Sequence, residues 1–257
     1  MDYSIRESWK RALMNLKIVN KYNILVHKKS VLALLFGLCI LQGEQHAMAQ
    51  NNDVTAPDFF LELQEFIPDI QVDLRYFSED NFVGQVIDGY HAEKAFMTRE
   101  AATALSNVQG ELAPFGMSLK VFDAYRPQRA VDHFVRWGQD LGDKKMKDVF
   151  YPAVAKEDLF SDGYIAQRSG HSRGSTIDLT IVDLETGEEL EMGTLWDFFD
   201  PSSWPSNLNI PPQARANRNL LNAVMTRHGF TALRTEWWHF TLENEPFLDT
   251  YFNFPVK

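Results

Sequence analysis

Apolar residues recur along this chain with two different periods. In ELQEFIPDIQVDLRYFS, Glu62 to Ser78, the alternation of Ile70, Val72 and Leu74 with polar neighbours predicts a short helix or loop followed by a strand. In TREAATALSNVQGELAPFG, Ala102, Leu105, Val108 and Leu112 fall at helical spacing. Thr98 stands at the N-cap, Glu100 in the first turn and Gly116 just past the end. MSLKVFDAY, Met117 to Tyr125, alternates as a strand that Pro127 stops, and a second helical period runs from Ala130 to Leu141. Asp183 to Glu189 has the composition of a hairpin turn around Thr186-Gly187. ANRNLLNAVMTRHG predicts a third helix closed by Gly229, and FTALRTEWWHFTLE supplies the final strands. Helices and strands are mixed, and hairpins join neighbouring strands. The expected class is α+β, with a largely antiparallel central sheet and flanking helices.

The first 49 residues follow another pattern. Lys10, Arg11, Lys17, Lys21, Lys28 and Lys29 precede an apolar run, Val31 to Leu41, and Ala47 and Ala49 then stand where a signal peptidase wants small residues. This is the layout of a secretory leader, with cleavage expected after Ala49; an uncleaved amphipathic anchor is the alternative, and a start at Met14 would give the leader a more ordinary length. The apolar run is too short to span a bilayer as a helix. Residues 50–257 carry no linker-like stretch and read as one domain, periplasmic or secreted, with no membrane span of its own.

Composition narrows the field further. The 257 residues are 45% hydrophobic and 13% aromatic, which is a globular balance. The formal charge is −10; without the leader, 18 basic residues face 32 acidic ones, for −14. A nucleic-acid partner is therefore not expected. Cys39 is the only cysteine and lies in the leader, behind Leu38 rather than the small residue a lipoprotein signal needs. The processed chain has no thiol, which removes disulfides and cysteine nucleophiles from consideration.

Three short stretches carry candidate chemistry. In SGHSRGSTIDLT, Ser169 to Thr180, His171 and Asp178 are seven apart. On one regular strand they would face opposite ways. They converge only if Ser172–Gly174 turn and Ser175–Leu179 form a strand passing back beneath His171, a turn that Gly174 makes inexpensive. Imidazole nitrogen and carboxylate oxygen are zinc ligand types; a hydrogen-bonded core pair fits the same pattern. In TEWWHF, Thr235 to Phe240, the same parity argument requires a strand start, bulge or kink near Trp237 before Glu236 and His239 can act together. Here the plain alternative is two core tryptophans beside a surface glutamate. In FDAYRP, Arg126 ends a strand next to Pro127, where a guanidinium could bind an oxyanion or simply a surface acid. His91, His133 and His228 read as ordinary side chains, and the acidic stretch from Asp183 to Glu191 as a solvated hairpin face.

Taken together, SGHSRGSTIDLT, EWWH and DAYRP resemble the VanX-type D-alanyl-D-alanine dipeptidases, zinc peptidases related to the D,D-carboxypeptidases of peptidoglycan. RYFSEDNFVGQVIDGY, MGTLWDFFD and YFNFPVK extend the resemblance over nearly all of residues 50–257. It implies one Zn²⁺ per chain, at the sheet, held by His171, Asp178 and His239, with Glu236 as catalytic carboxylate and Arg126 stabilising the transition state. It further implies that Asp197 holds the free amine of a small D,D-dipeptide, in a pocket lined by Tyr76 and Ser169. One departure is visible: the family often has serine just before the first ligand histidine, where this chain has Gly170. The implied activity is hydrolysis of D-Ala-D-Ala in cell-wall peptide turnover or salvage. A peptidoglycan D,D-carboxypeptidase and a non-catalytic, wall-associated zinc-binding module are the competing expectations. Oligomeric state, and salvage as against a role in glycopeptide resistance, are not readable from the sequence.

Overall fold

The computed structural model describes residues 55–257; the expected leader and its cleavage site lie outside them. The chain begins with strand β1 (Phe60–Glu62), a one-turn helix α1 (Leu63–Phe66) and the short strand β2 (Gln71–Val72). Strand β3 (Phe96–Thr98) then leads into helix α2 (Arg99–Leu112), strand β4 (Met117–Asp123) and helix α3 (Gln128–Gln139). After a one-turn helix α4 (Lys147–Phe150) come β5 (Thr176–Asp183), helix α5 (Pro212–Arg227), β6 (Phe230–Ala232) and β7 (His239–Leu242). Among the described residues no helix is long and apolar enough to cross a membrane.

Five strands form one sheet in the order β2-β4-β5-β7-β6, and β1 pairs with β3 apart from it. Only the β2–β4 pairing in the five-stranded sheet is parallel; the other three are antiparallel. The mixed, mainly antiparallel α+β architecture read from the sequence is the one observed. The expected strand around Ile70–Leu74 shrinks to two residues, because Arg75–Phe77 turn away in a 3-10 helix.

Strand β5 lies in the middle of the sheet and is buried from Thr176 to Val182. Helix α2 buries Ala101, Ala102, Leu105, Val108 and Leu112 and packs against β4 and α5. Thr98 does occupy the N-cap position of α2, but its hydroxyl bonds Ser175 Oγ at 2.7 Å instead of capping the helix. The turn at Asp183–Glu189 is as expected: Asp183 N–H donates to Glu188 O, and Gly187 takes a φ of 74°.

Cross-strand register decides what shares a face. Asp178 on β5 stands opposite His239 on β7 and Asp123 on β4, so three polar side chains form a row across three strands. A bulge between Val121 and Asp123 makes this row possible. Strict alternation would put Asp123 on the same face as Val121, away from Asp178; the extra residue turns it round.

Candidate active site

Each member of the His171–Asp178–His239 group is delivered by a local feature. Gly170–Arg173 form a 3-10 turn, with Ser169 Oγ accepting from His171 N–H at 3.3 Å. Gly174 then adopts φ 84°, and a Cβ there would come within 2.4 Å of the Phe60 ring. Conformation and packing both require glycine at this corner. The chain reverses into β5, and Asp178 passes beneath His171 as the spacing demanded. His239 is the first residue of β7, so Glu236 lies in the loop between β6 and β7 and is freed from strand parity.

The ligand-type atoms of these three residues lie within 4.8 Å of one another. His171 Nε2 is 3.3 Å from Asp178 Oδ1, His239 Nδ1 is 3.0 Å from the same oxygen, and the two nitrogens are 3.3 Å apart. Three donors on a tetrahedron around zinc, each about 2.0–2.1 Å from the ion, would be separated by about 3.3 Å. Asp178 Oδ1 is buried and receives no hydrogen bond, leaving its lone pairs to that shared point. The other side of each ligand is held. His171 Nδ1 is 2.7 Å from Ala124 O, so it carries the proton and leaves the Nε2 lone pair to the group. Asp178 Oδ2 accepts from Trp196 Nε1 at 3.3 Å and faces Arg126 Nη2 at 3.7 Å. The donor set and its spacing fit one zinc ion.

Around this group lies a cavity of about 220 Å³, lined among others by Tyr76, Arg126, Arg168, Ser169, Asp197 and Glu236. All eight residues expected at the site are therefore brought to one hollow. Glu236 Oε2 is 3.5 Å from His239 Nδ1, and burial pushes its carboxyl above the usual range, with Asp178 adding to the rise. Arg126 is not a surface ion pair. Its Nε donates to the fully buried Asp123 at 2.8 Å, and its guanidinium carbon sits 4.9 Å from the Tyr76 ring centre and 5.3 Å from that of Phe134.

Asp197 is buried and takes φ 55°, a left-handed conformation that costs a non-glycine residue energy and marks a constrained position. Tyr76 Oη donates to it at 2.6 Å. Burial and the charge of Asp178 push Asp197 well above the carboxylate range. Among the described residues no Lys, Arg or His lies within ion-pair distance of it.

Several supporting residues gave no clear signal in the sequence. Asp123 accepts from Tyr90 Oη at 2.6 Å as well as from Arg126. Trp196 joins Asp178 to the segment that carries Asp197. Arg218 on α5, nearly buried, donates to Met192 O, Ser202 O and Trp204 O, and so pins that irregular segment. Only Asp123 had an available cue, as an aspartate inside an apolar strand. His91, His133 and His228 stand away from the cavity; His133 contacts Asp88 and Gln85, and His228 pairs with Glu111.

Residues 58–257 match the M15 peptidase family described as D-ala-D-ala dipeptidase. The chain belongs to that family. Over 197 residues it is 42% identical to a D-alanyl-D-alanine dipeptidase of Streptomyces coelicolor, covering 77% of this chain and 98% of that one. A D-alanyl-D-alanine dipeptidase of Enterococcus faecalis is likewise 42% identical over 198 residues, with the same coverage of both chains. Among solved structures, a mutant of the vancomycin resistance D,D-pentapeptidase VanY in complex with Zn(II) is a remote match. It has 14% identity and a TM-score of 0.37, over 60% of this chain and 77% of that one. Family membership makes the chain a zinc metallopeptidase, and the His-Asp-His cluster is compatible with one zinc ion.

Proposed function

We propose that this protein hydrolyses D-Ala-D-Ala to free D-alanine. The observation that carries the reading is the convergence of His171, Asp178 and His239, with Glu236 beside them, on a small cavity whose inner wall holds Asp197. A zinc ion held by His171, Asp178 and His239 would supply Lewis acidity there, activating a water and polarising the scissile carbonyl.

The chain's own groups do the rest. Glu236, partly buried and raised by that burial, accepts the water's proton and returns it to the leaving amine. Arg126 is steadied by Asp123 through Nε, and its remaining N–H groups receive the developing oxyanion, an effect of about 3–4 kcal/mol in comparable sites. Asp197 takes the substrate ammonium, the counter-charge it otherwise lacks, with Tyr76 Oη fixing its orientation. An ammonium bound deep in a small cavity leaves no room for a peptide extended at that end. This favours a dipeptidase over a carboxypeptidase acting on acylated stems. Ser169 acts chiefly by capping the turn of His171.

We further propose that residues 1–49 are removed and that the domain works outside the cytoplasm, on dipeptide released from the wall.

The test of activity uses the zinc-loaded protein with D-Ala-D-Ala and an acylated tripeptide ending in D-Ala-D-Ala. The dipeptide alone should be cleaved, a chelator should abolish cleavage, and zinc should restore it. Glu236→Gln should keep its zinc and lose about 10²–10⁴ in kcat. Preference for the tripeptide would identify a carboxypeptidase, and wall binding without turnover a zinc-binding module.

A further inference from the structure

The proposed substrate is a zwitterion, and only its ammonium has so far been given a partner. A carboxylate entering a site already rich in acids needs a cation that is not already engaged. Four residues that line the cavity can carry positive charge: Arg126, Arg168, His171 and His239. Arg126 is committed to Asp123 and lies near Asp178, and both histidines face Asp178. Arg168 differs. Among the described residues no carboxylate lies within ion-pair distance of it, and its one recorded contact is with the ring of Tyr251, 4.9 Å from guanidinium carbon to ring centre.

Stacking on an aromatic face limits the tilt of a guanidinium while leaving its edge N–H groups free to donate. Position adds to this. Arg168 is exposed and immediately precedes Ser169, Gly170 and His171, so it stands at the rim of the cavity. Asp197 is buried on the inner wall, bonded to Tyr76. Asp197 and Arg168 therefore mark the deep end and the mouth of one hollow, and a short zwitterion, whose ammonium supplies the counter-charge that Asp197 lacks, matches that arrangement.

Resting on the dipeptidase reading above, we infer that Arg168 receives the substrate's C-terminal carboxylate at the mouth of the cavity. Arg168 is then a specificity residue, and the site recognises both termini of the same small molecule. Loss of the pair should act mainly on KM, because the carboxylate is bound alike before and during the reaction.

The test compares D-Ala-D-Ala with D-alanyl-D-alaninamide, which lacks the charge, on the zinc-loaded full chain. The unsubstituted protein should prefer the free acid. Arg168→Gln should lower kcat/KM for the acid by about ten- to a hundred-fold, the range for a hydrogen bond to a charged group, and leave the amide nearly unchanged. Arg168→Lys should restore part of the preference. An acid-to-amide ratio that Arg168→Gln leaves unchanged, including an equal loss on both peptides, overturns the assignment. Equal cleavage of acid and amide by the unsubstituted protein overturns it too, while the hydrolase reading stands. Cleavage of neither removes the hydrolase reading and this one with it.

Discussion

Gly170 departs from the serine often found before the first ligand histidine, and its surroundings account for that. A Cβ on Gly170 would lie 2.6 Å from Thr176 Oγ1, which is itself bonded to Thr241 Oγ1 at 2.9 Å. The glycine accommodates a threonine in the neighbouring strand; its φ is not in the left-handed region. Gly170→Ser should therefore destabilise by about 1–3 kcal/mol, the range for overpacking. Adding Thr176→Ala should recover part of the loss, a coupling that urea unfolding of both single variants and the double variant measures. Additive effects would mean that the two sites do not meet. The functional side chains were not legible one at a time: His171 and Asp178 also fit a hydrogen-bonded core pair and Glu236 a surface charge, and only the three stretches together pointed to one centre. Asp123 offered only a weak cue, as an aspartate inside an apolar strand. It needs none of its own segment's irregularities to look like a strand residue, and the bulge that turns it toward Arg126 leaves no mark in the spacing.

At the scale of elements, parity was the informative quantity. Histidine and aspartate seven apart required a corner, and glutamate and histidine three apart a strand start, bulge or kink near Trp237. The structure has the 3-10 turn closed by Gly174 and a β7 that begins at His239. Long irregular segments were less readable. The stretch between β5 and α5 owes its path to hydrogen bonds from Arg218 and to the φ of Asp197, and neither has a periodic signature. The Asp183 turn gives a pH test at this scale. Asp183 Oδ1 accepts from Thr186 N–H, Thr186 Oγ1 and Glu185 N–H, and those bonds, Thr186's first, hold its carboxyl below the ordinary 3.8. A carboxyl depressed on folding contributes stability that is fully present above the unfolded value and fades as pH falls through the folded one. Asp183→Ala should thus lower the urea midpoint at pH 7, and the gap to the unsubstituted protein should close as the pH is taken below 3.8. A gap constant down to pH 3 would show that the charge of this turn is not what stabilises it.

For the whole molecule, the class and the mainly antiparallel character of the sheet followed from the mixture of periods and from hairpin spacing, while the strand order and the pairing of β1 with β3 did not. Those two strands are three residues each and are matched by tertiary packing rather than by pattern. The proposed leader belongs to this scale as well. Protein recovered from an exporting host should begin at Gln50, and N-terminal sequencing that reads Met1 or Met14 in the exported fraction would refute cleavage after Ala49. The backing of the centre comes from far along the chain. Phe252 N–H donates to Ser172 O inside the His171 turn, Phe254 stacks on Tyr125 at 4.0 Å, and Val256 bridges to Tyr90, which holds Asp123. These contacts behind the His171 turn cannot all form until the polypeptide has been synthesised through residue 256.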